Sequence, residues 1–115
     1  MEKVVLFSFR RDPMCFIHVL LNGLDMREKG FNVGIVIEGE STRLVPDFKE
    51  EGSLLYGPFK RAFEAGIIDG ICRACSQKMG TLKEAEEMGI RILNEMSGHP
   101  SMGRYVEEGY RVITF

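Results

Sequence analysis

One short pattern governs how this chain can fold: Glu-x-Gly followed by an apolar residue. It occurs four times, as Glu28-Lys29-Gly30-Phe31, Glu64-Ala65-Gly66-Ile67, Glu87-Met88-Gly89-Ile90 and Glu107-Glu108-Gly109-Tyr110. Glycine takes the left-handed conformation just past a helix without the steric cost that a Cβ brings, so each instance reads as a helix ending. Each follows a helix-like stretch and precedes an apolar, β-prone run. Four helix-to-strand junctions, with the strand that opens the chain, predict five strands.

The strands read as residues 3–9, 31–37, 67–72, 90–93 and 110–115. The helices read as 13–29, 58–65, 81–88 and 101–108, with a shorter helical or irregular piece over 43–51. Several strands are continuous apolar runs, as expected where both faces of a sheet are covered. Start signals agree. Asp12-Pro13 is an N-cap followed by proline at the first helical position. Thr81-Leu82-Lys83-Glu84 has the form of a capping box, and Pro58 and Pro100 sit where proline can open a helix. Strand–helix alternation with right-handed crossovers predicts an α/β fold of the three-layer α/β/α kind, with a mostly parallel five-stranded sheet. The 115 residues make one domain, 1–115, with no room for a second core.

Charge and hydropathy narrow the function classes. Fifteen basic and 17 acidic residues leave a net charge of −2, which gives no general pull toward nucleic acid or an anionic membrane. No segment approaches the roughly 20 apolar residues of a membrane span, and the N-terminus is too short for a signal peptide. The sequence therefore predicts a cytoplasmic chain. Three cysteines cannot all pair within one chain, so free thiols, a metal site or a redox pair are expected rather than a disulfide framework.

In parallel sheets, ligands bind at the carboxyl ends of the strands. The loops at that edge are 8–13, 38–42, 72–80 and 94–100, and all three cysteines lie in or next to the first and third. Cys72 closes the third strand, and Cys75 follows in the loop. Cys-x-x-Cys suits two zinc ligands or a redox disulfide; the bland alternative is two thiols packed as small hydrophobes. Arg73 and Lys78 flank the pair, and nearby positive charge favours the reactive thiolate.

The segment Ile68-Asp69-Gly70-Ile71-Cys72, continuing through Arg73-Ala74-Cys75-Ser76-Gln77-Lys78-Met79-Gly80, resembles the signature of the DsrE-like sulfur-relay family. That signature is an apolar strand ending in a cysteine, then small residues, then a basic residue and a glycine about eight positions on. The order of strands and helices resembles the family over the whole chain. The resemblance implies an assembly of copies, often a trimer or hexamer, with sulfur donor and acceptor proteins as partners. It implies that Cys72 accepts persulfide sulfur, with Lys78 near the family's basic position and Gly80 on its closing glycine. Cys75 departs from the pattern. A second thiol three residues on can attack a persulfide on the first, which favours a redox or metal variant over simple relay.

Cys15 is the third residue of the first helix, where the helix dipole and Arg10-Arg11 favour thiolate. If the first and third strands are neighbours, Cys15, Cys72 and Cys75 converge, with His18 as a candidate fourth member, and such a set fits zinc. The helical wheel opposes His18: Phe16, Ile17, Leu20, Leu21 and Leu24 form the apolar face, and His18, Asn22 and Asp25 a polar stripe. Arg10-Arg11 can hold an anion or be merely solvated. His99 lies in the fourth carboxyl-edge loop, within reach of the cysteines or as a plain loop residue. The leading expectation is a sulfur carrier with no cofactor, using Cys72, Cys75 and Cys15 with Arg73, Lys78 and Arg11 in support. The alternatives are a zinc or thiol-redox protein using Cys15, Cys72 and Cys75, and a non-catalytic oligomeric binding domain.

Overall fold

The four glycines of the repeated pattern end helices as expected: Gly30, Gly66, Gly89 and Gly109 have φ of 87°, 77°, 81° and 89°. In the computed structural model, which describes residues 1–115, the elements they punctuate run as follows. β1 (Lys3–Ser8) leads to α1 (Pro13–Glu28) and β2 (Asn32–Ile37). A 3₁₀ segment, Gly39–Leu44, runs into α2 (Val45–Phe48) and α3 (Tyr56–Glu64). Then come β3 (Ile68–Cys72), α4 (Arg73–Lys78), α5 (Leu82–Glu87), β4 (Ile92–Leu93), α6 (Met102–Glu107) and β5 (Arg111–Thr114).

All five strands are parallel, in the order β4-β3-β2-β1-β5. The chain steps one strand at a time from β1 to β4, then returns to lie beside β1. Right-handed crossovers that all step one way fall on the same face of a sheet, and a step the other way falls on the opposite face. This topology puts α1 to α5 on one face and α6 alone on the other, so the fold is a three-layer α/β/α domain of unequal layers. The thick side holds a core of 18 buried residues, in which Leu6, Ile35 and Ile37 of the sheet meet Phe16, Phe48 and Phe59 of the helices. Those three rings stack, with centroids 5.2 Å and 4.1 Å apart. The thin side holds five: Val5, Phe7, Val36, Leu93 and Tyr105. Tyr105 anchors α6, its ring edge-on to Phe7 at 5.6 Å and its hydroxyl donating to the Asp69 carboxylate.

Several local expectations are corrected. The 72–80 segment is not a loop, because α4 occupies most of it. Thr81 does not close a capping box; its hydroxyl donates to the Thr42 carbonyl at 2.8 Å, a tertiary bond that outcompetes the local one. Pro100 lies outside α6, whose N-cap is Ser101, accepting from the Arg104 N–H at 3.1 Å. On α1 the buried residues are Phe16, Val19, Leu20 and Gly23, and Leu21 is exposed. Gly23 turns the helix's buried face because its missing side chain lets Ile35 and Ile67 pack against the backbone. No helix is long and apolar enough to cross a membrane.

Candidate metal centre

Three parallel strands end side by side, and each delivers chemistry to the same place. Cys72 is the last residue of β3 and the N-cap of α4, with extended backbone at φ −61° and ψ 124°. Its sulfur accepts the Cys75 N–H at 3.4 Å, so the first turn of α4 folds Cys75 back beside it. Ser76 locks that turn from below, donating its hydroxyl to the Cys72 carbonyl at 2.7 Å. Glu38 follows directly on β2. Its N–H donates to the Ser8 carbonyl at 2.8 Å, and its own carbonyl accepts from the buried Ser41 hydroxyl at 2.7 Å. The same hydroxyl reaches the Ser8 carbonyl, which ties the Glu38 turn to the end of β1.

His99 arrives on a tight hairpin after β4. Met96 and His99 exchange both backbone hydrogen bonds, at 2.8 and 2.9 Å, around Ser97 and Gly98, whose φ values are 51° and 89°. Two consecutive positive φ angles define a type I′ turn, and the serine in it carries roughly 1–2 kcal/mol of backbone strain. The turn is pressed against α4: the Ala74 N–H donates to the Gly98 carbonyl at 2.9 Å, and a Cβ on Gly98 would meet the Ala74 Cβ at 3.2 Å. Glu95, at the base of the hairpin, accepts from Arg104 of α6 and from the Ser101 N–H. The strained turn is thus clamped from two sides, and His99 is held over the thiols.

The resulting geometry is close. Cys72 Sγ lies 3.1 Å from His99 Nδ1, Cys75 Sγ lies 3.9 Å from the same nitrogen, and Glu38 Oε2 lies 3.6 Å from it. One ligand atom from each of Glu38, Cys72, Cys75 and His99 falls within 4.8 Å of all the others. Cys72 is fully buried, and the Glu38 and His99 side chains are 14% and 37% exposed. A tetrahedral zinc with ordinary bond lengths sets its donors roughly 3.4–3.8 Å apart, so shifts of under about 1 Å close the set around an ion. The pair and its neighbours can therefore bind a metal or act in thiol redox chemistry.

The electrostatics of the cluster favour its neutral, protonated forms in the absence of a cation. Burial pushes the Cys72 thiol up to about 12, against the Cys75 N–H that stabilises its charged form; the Cys75 thiol and the Glu38 carboxylate push it further up. Burial also raises Glu38 above the ordinary carboxylate range, and His99 draws it back. Two acidic groups crowd one desolvated spot, and a bound cation relieves both. The expectation that Arg73 and Lys78 hold Cys72 as thiolate is corrected. Both lie exposed at opposite ends of α4, and the groups that act on Cys72 are Cys75 and Glu38.

The predicted convergence of Cys15, Cys72 and Cys75 does not occur. β2 lies between β1 and β3, so Cys15, on the helix that follows β1, is kept about two strand spacings, roughly 10 Å, from the pair. The intervening strand supplies Glu38 instead. His18 is exposed, lies beside Cys15 and Arg10 and is not part of the cluster, and Arg11 is exposed in the loop after β1. Glu38 was missed in the sequence. Its signal was an acidic residue directly on the end of an apolar strand, at the carboxyl edge, and strand order was needed to read it.

No family model matches the chain, and no solved structure does. Two uncharacterized proteins of Archaeoglobus fulgidus are similar over shorter stretches. One is 49% identical over 37 residues, which is 32% of this chain and the whole of that protein. The other is 32% identical over 59 residues, 51% of this chain and 95% of that protein. Uncharacterized protein MJ0733 of Methanocaldococcus jannaschii is 31% identical over 97 residues, a match that takes in 84% of this chain and 77% of that protein. With a match of that extent, the chain belongs to the same family as MJ0733.

Proposed function

We propose that the protein holds a thiophilic divalent metal ion, zinc by donor preference, through Cys72, Cys75, His99 and Glu38. The observation that carries this reading is the convergence of two thiols, an imidazole and a carboxylate from three strand ends within 4.8 Å. Two sulfurs and an imidazole select zinc over calcium or magnesium, which take oxygen ligands. None of the four donors belongs to either apolar core cluster, so the fold has a core that does not depend on the ion. The site then acts as a holder whose metal exchanges rather than as a staple for folding. Zinc titration of reduced protein tests this. One ion per chain is expected, lost in Cys72→Ser/Cys75→Ser and weakened about 100-fold or more in His99→Ala. Undiminished zinc binding by the double variant overturns the assignment.

A second reading keeps the sulfur-relay expectation. What favours it is the Cys75 N–H aimed at the Cys72 sulfur from 3.4 Å, a donor suited to an anionic persulfide on a strand-end cysteine. Under it, metal-free protein gains one sulfur mass on Cys72 from a sulfane donor. Reductant removes that mass, and zinc suppresses the loading.

A further inference from the structure

The two thiols of the centre stand in opposite relations to solvent. Cys72 is fully buried, and Cys75 is partly exposed. The Cys72 sulfur is enclosed by the protein's own groups: His99 Nδ1 at 3.1 Å, the Cys75 N–H at 3.4 Å and the Gly98 carbonyl at 3.6 Å. A sulfur enclosed in this way is closed to a molecule in solution, and the thiol beside it is open to one.

The two sulfurs are also near enough to join. They lie within 4.8 Å of each other, on the Cys-x-x-Cys spacing that redox pairs use. A disulfide needs about 2.0 Å. The backbone between them is already fixed, by the Ser76 hydroxyl on the Cys72 carbonyl at 2.7 Å and by the Ala74 N–H on the Gly98 carbonyl at 2.9 Å. Rotation of the two side chains supplies the rest. Neither cysteine belongs to an apolar core cluster, so closing the bond leaves the core in place. Cys15 is kept roughly 10 Å away by β2, so the partner of each thiol is the other.

We infer that the pair is a redox gate on the metal site: a low-molecular-weight disulfide enters at Cys75, Cys72 resolves it, and the Cys72–Cys75 disulfide that results expels the ion. The expulsion rests on the metal reading above; the exchange does not. In metal-free protein the Cys75 sulfur gives up its proton and attacks one sulfur of the incoming disulfide. The S–S bond breaks, and its electron pair and that proton leave together as a first small thiol. Cys72 then passes its proton to His99 Nδ1, 3.1 Å away, and its sulfur attacks the Cys75 sulfur of the mixed disulfide. The second small thiolate leaves and takes up that proton. Two protein thiols are oxidised, and one disulfide is reduced to two thiols. With zinc bound, both thiols have already lost their protons, so two protons come from solvent and the zinc ion is the further product.

The test follows reduced protein, metal-free and zinc-loaded, in 2-hydroxyethyl disulfide by intact mass, peptide mapping and a chromophoric zinc indicator. Metal-free protein should lose two hydrogens in mass, mapped to a Cys72–Cys75 bond, with no adduct left on the pair; mapping sets apart any adduct on Cys15. Cys72→Ser should stop at one mercaptoethanol adduct on Cys75. Cys75→Ser should leave Cys72 bare when folded and let it react in urea, which shows that the fold protects it. Zinc-loaded protein should release one ion per disulfide formed. The oxidised protein should bind zinc at least about 100-fold more weakly than the reduced protein, and dithiothreitol should restore binding. Zinc-binding protein that forms no Cys72–Cys75 bond, takes its adduct first on Cys72, or keeps its zinc when oxidised overturns the inference and leaves the metal reading standing. Reduced protein that binds no zinc sinks the metal reading, a failure read on the indicator before any disulfide is added; the roles of Cys75 and Cys72 are then decided by the masses alone.

Discussion

The metal reading makes its sharpest demand on pH. Zinc binds thiolate, so every ion bound must displace the proton on Cys72. That proton is held unusually hard, because burial lifts the thiol from an ordinary 9.0 to about 12. The cost of removing that proton appears as a steep pH dependence of zinc binding. Below about 12 each unit of pH gained is worth a factor of ten from Cys72 alone, before any contribution from Cys75. From pH 6.5 to 8.5 the affinity should therefore rise at least 100-fold. Competition against a chromophoric chelator at fixed ionic strength measures the slope, and calorimetry in buffers of different ionisation heat counts the protons released. Cys72→Ser should lower the slope by one. A flat profile, or less than one proton released per zinc, refutes the placement of Cys72 as a ligand. The metal-free protein carries the opposite sign. Because the folded value lies above the unfolded one, the stability from the neutral, buried Cys72 is whole below about pH 9 and is lost as pH rises toward about 12.

Two further outcomes follow from contacts elsewhere in the site. Limiting iodoacetamide on metal-free protein should label Cys75 at least about tenfold faster than Cys72, because Cys72 is fully buried and Cys75 is partly exposed; peptide mapping that finds Cys72 labelled first contradicts the packing described. Gly70→Ala would place a Cβ 2.6 Å from Leu93 Cγ and 2.7 Å from the Arg91 carbonyl oxygen, so β4 must shift away from β3 at a cost of about 1–3 kcal/mol, read as a lower urea midpoint. An unchanged midpoint refutes that contact.

How much of this was legible beforehand depended on whether the signal was local. Helix ends written by Gly30, Gly66, Gly89 and Gly109 need only the conformational freedom of one residue, and they fixed five strands to within about two residues. α4 was hidden because its start is set by a cysteine, not a serine, threonine or aspartate; a sulfur accepting a backbone N–H is a poor cap by propensity and becomes one here under tertiary clamping. The capping box at Thr81 was legible and misleading, since the hydroxyl found the Thr42 carbonyl across the fold instead. The centre itself was half legible. The Cys-x-x-Cys pair and the carboxyl-edge loops of Glu38 and His99 could be named from the sequence. Which cysteine or carboxylate would join them depended on strand order, which no stretch of residues encodes locally.

Strand order also explains where on the sheet edge the donors gather. The connection that leaves β3 runs over one face and the one that leaves β4 carries α6 to the other, so the donors gather at the ends of β2, β3 and β4, where neighbouring connections part. That edge is a small, dry, donor-rich spot: Ser8, Ser41, Thr42, Ser76 and Thr81 are all buried there, and the hydroxyls of Ser41, Thr42, Ser76 and Thr81 are spent on holding backbone carbonyls in place. That scaffold suits an ion, which needs fixed donors and little volume. The single backward step leaves from the carboxyl end of β4, beside the hairpin that carries His99, and enters β5 at its amino end. His99→Ala should therefore weaken zinc binding while leaving the stability of the metal-free protein in urea within about 0.5 kcal/mol of the unmodified chain, because His99 belongs to neither core cluster.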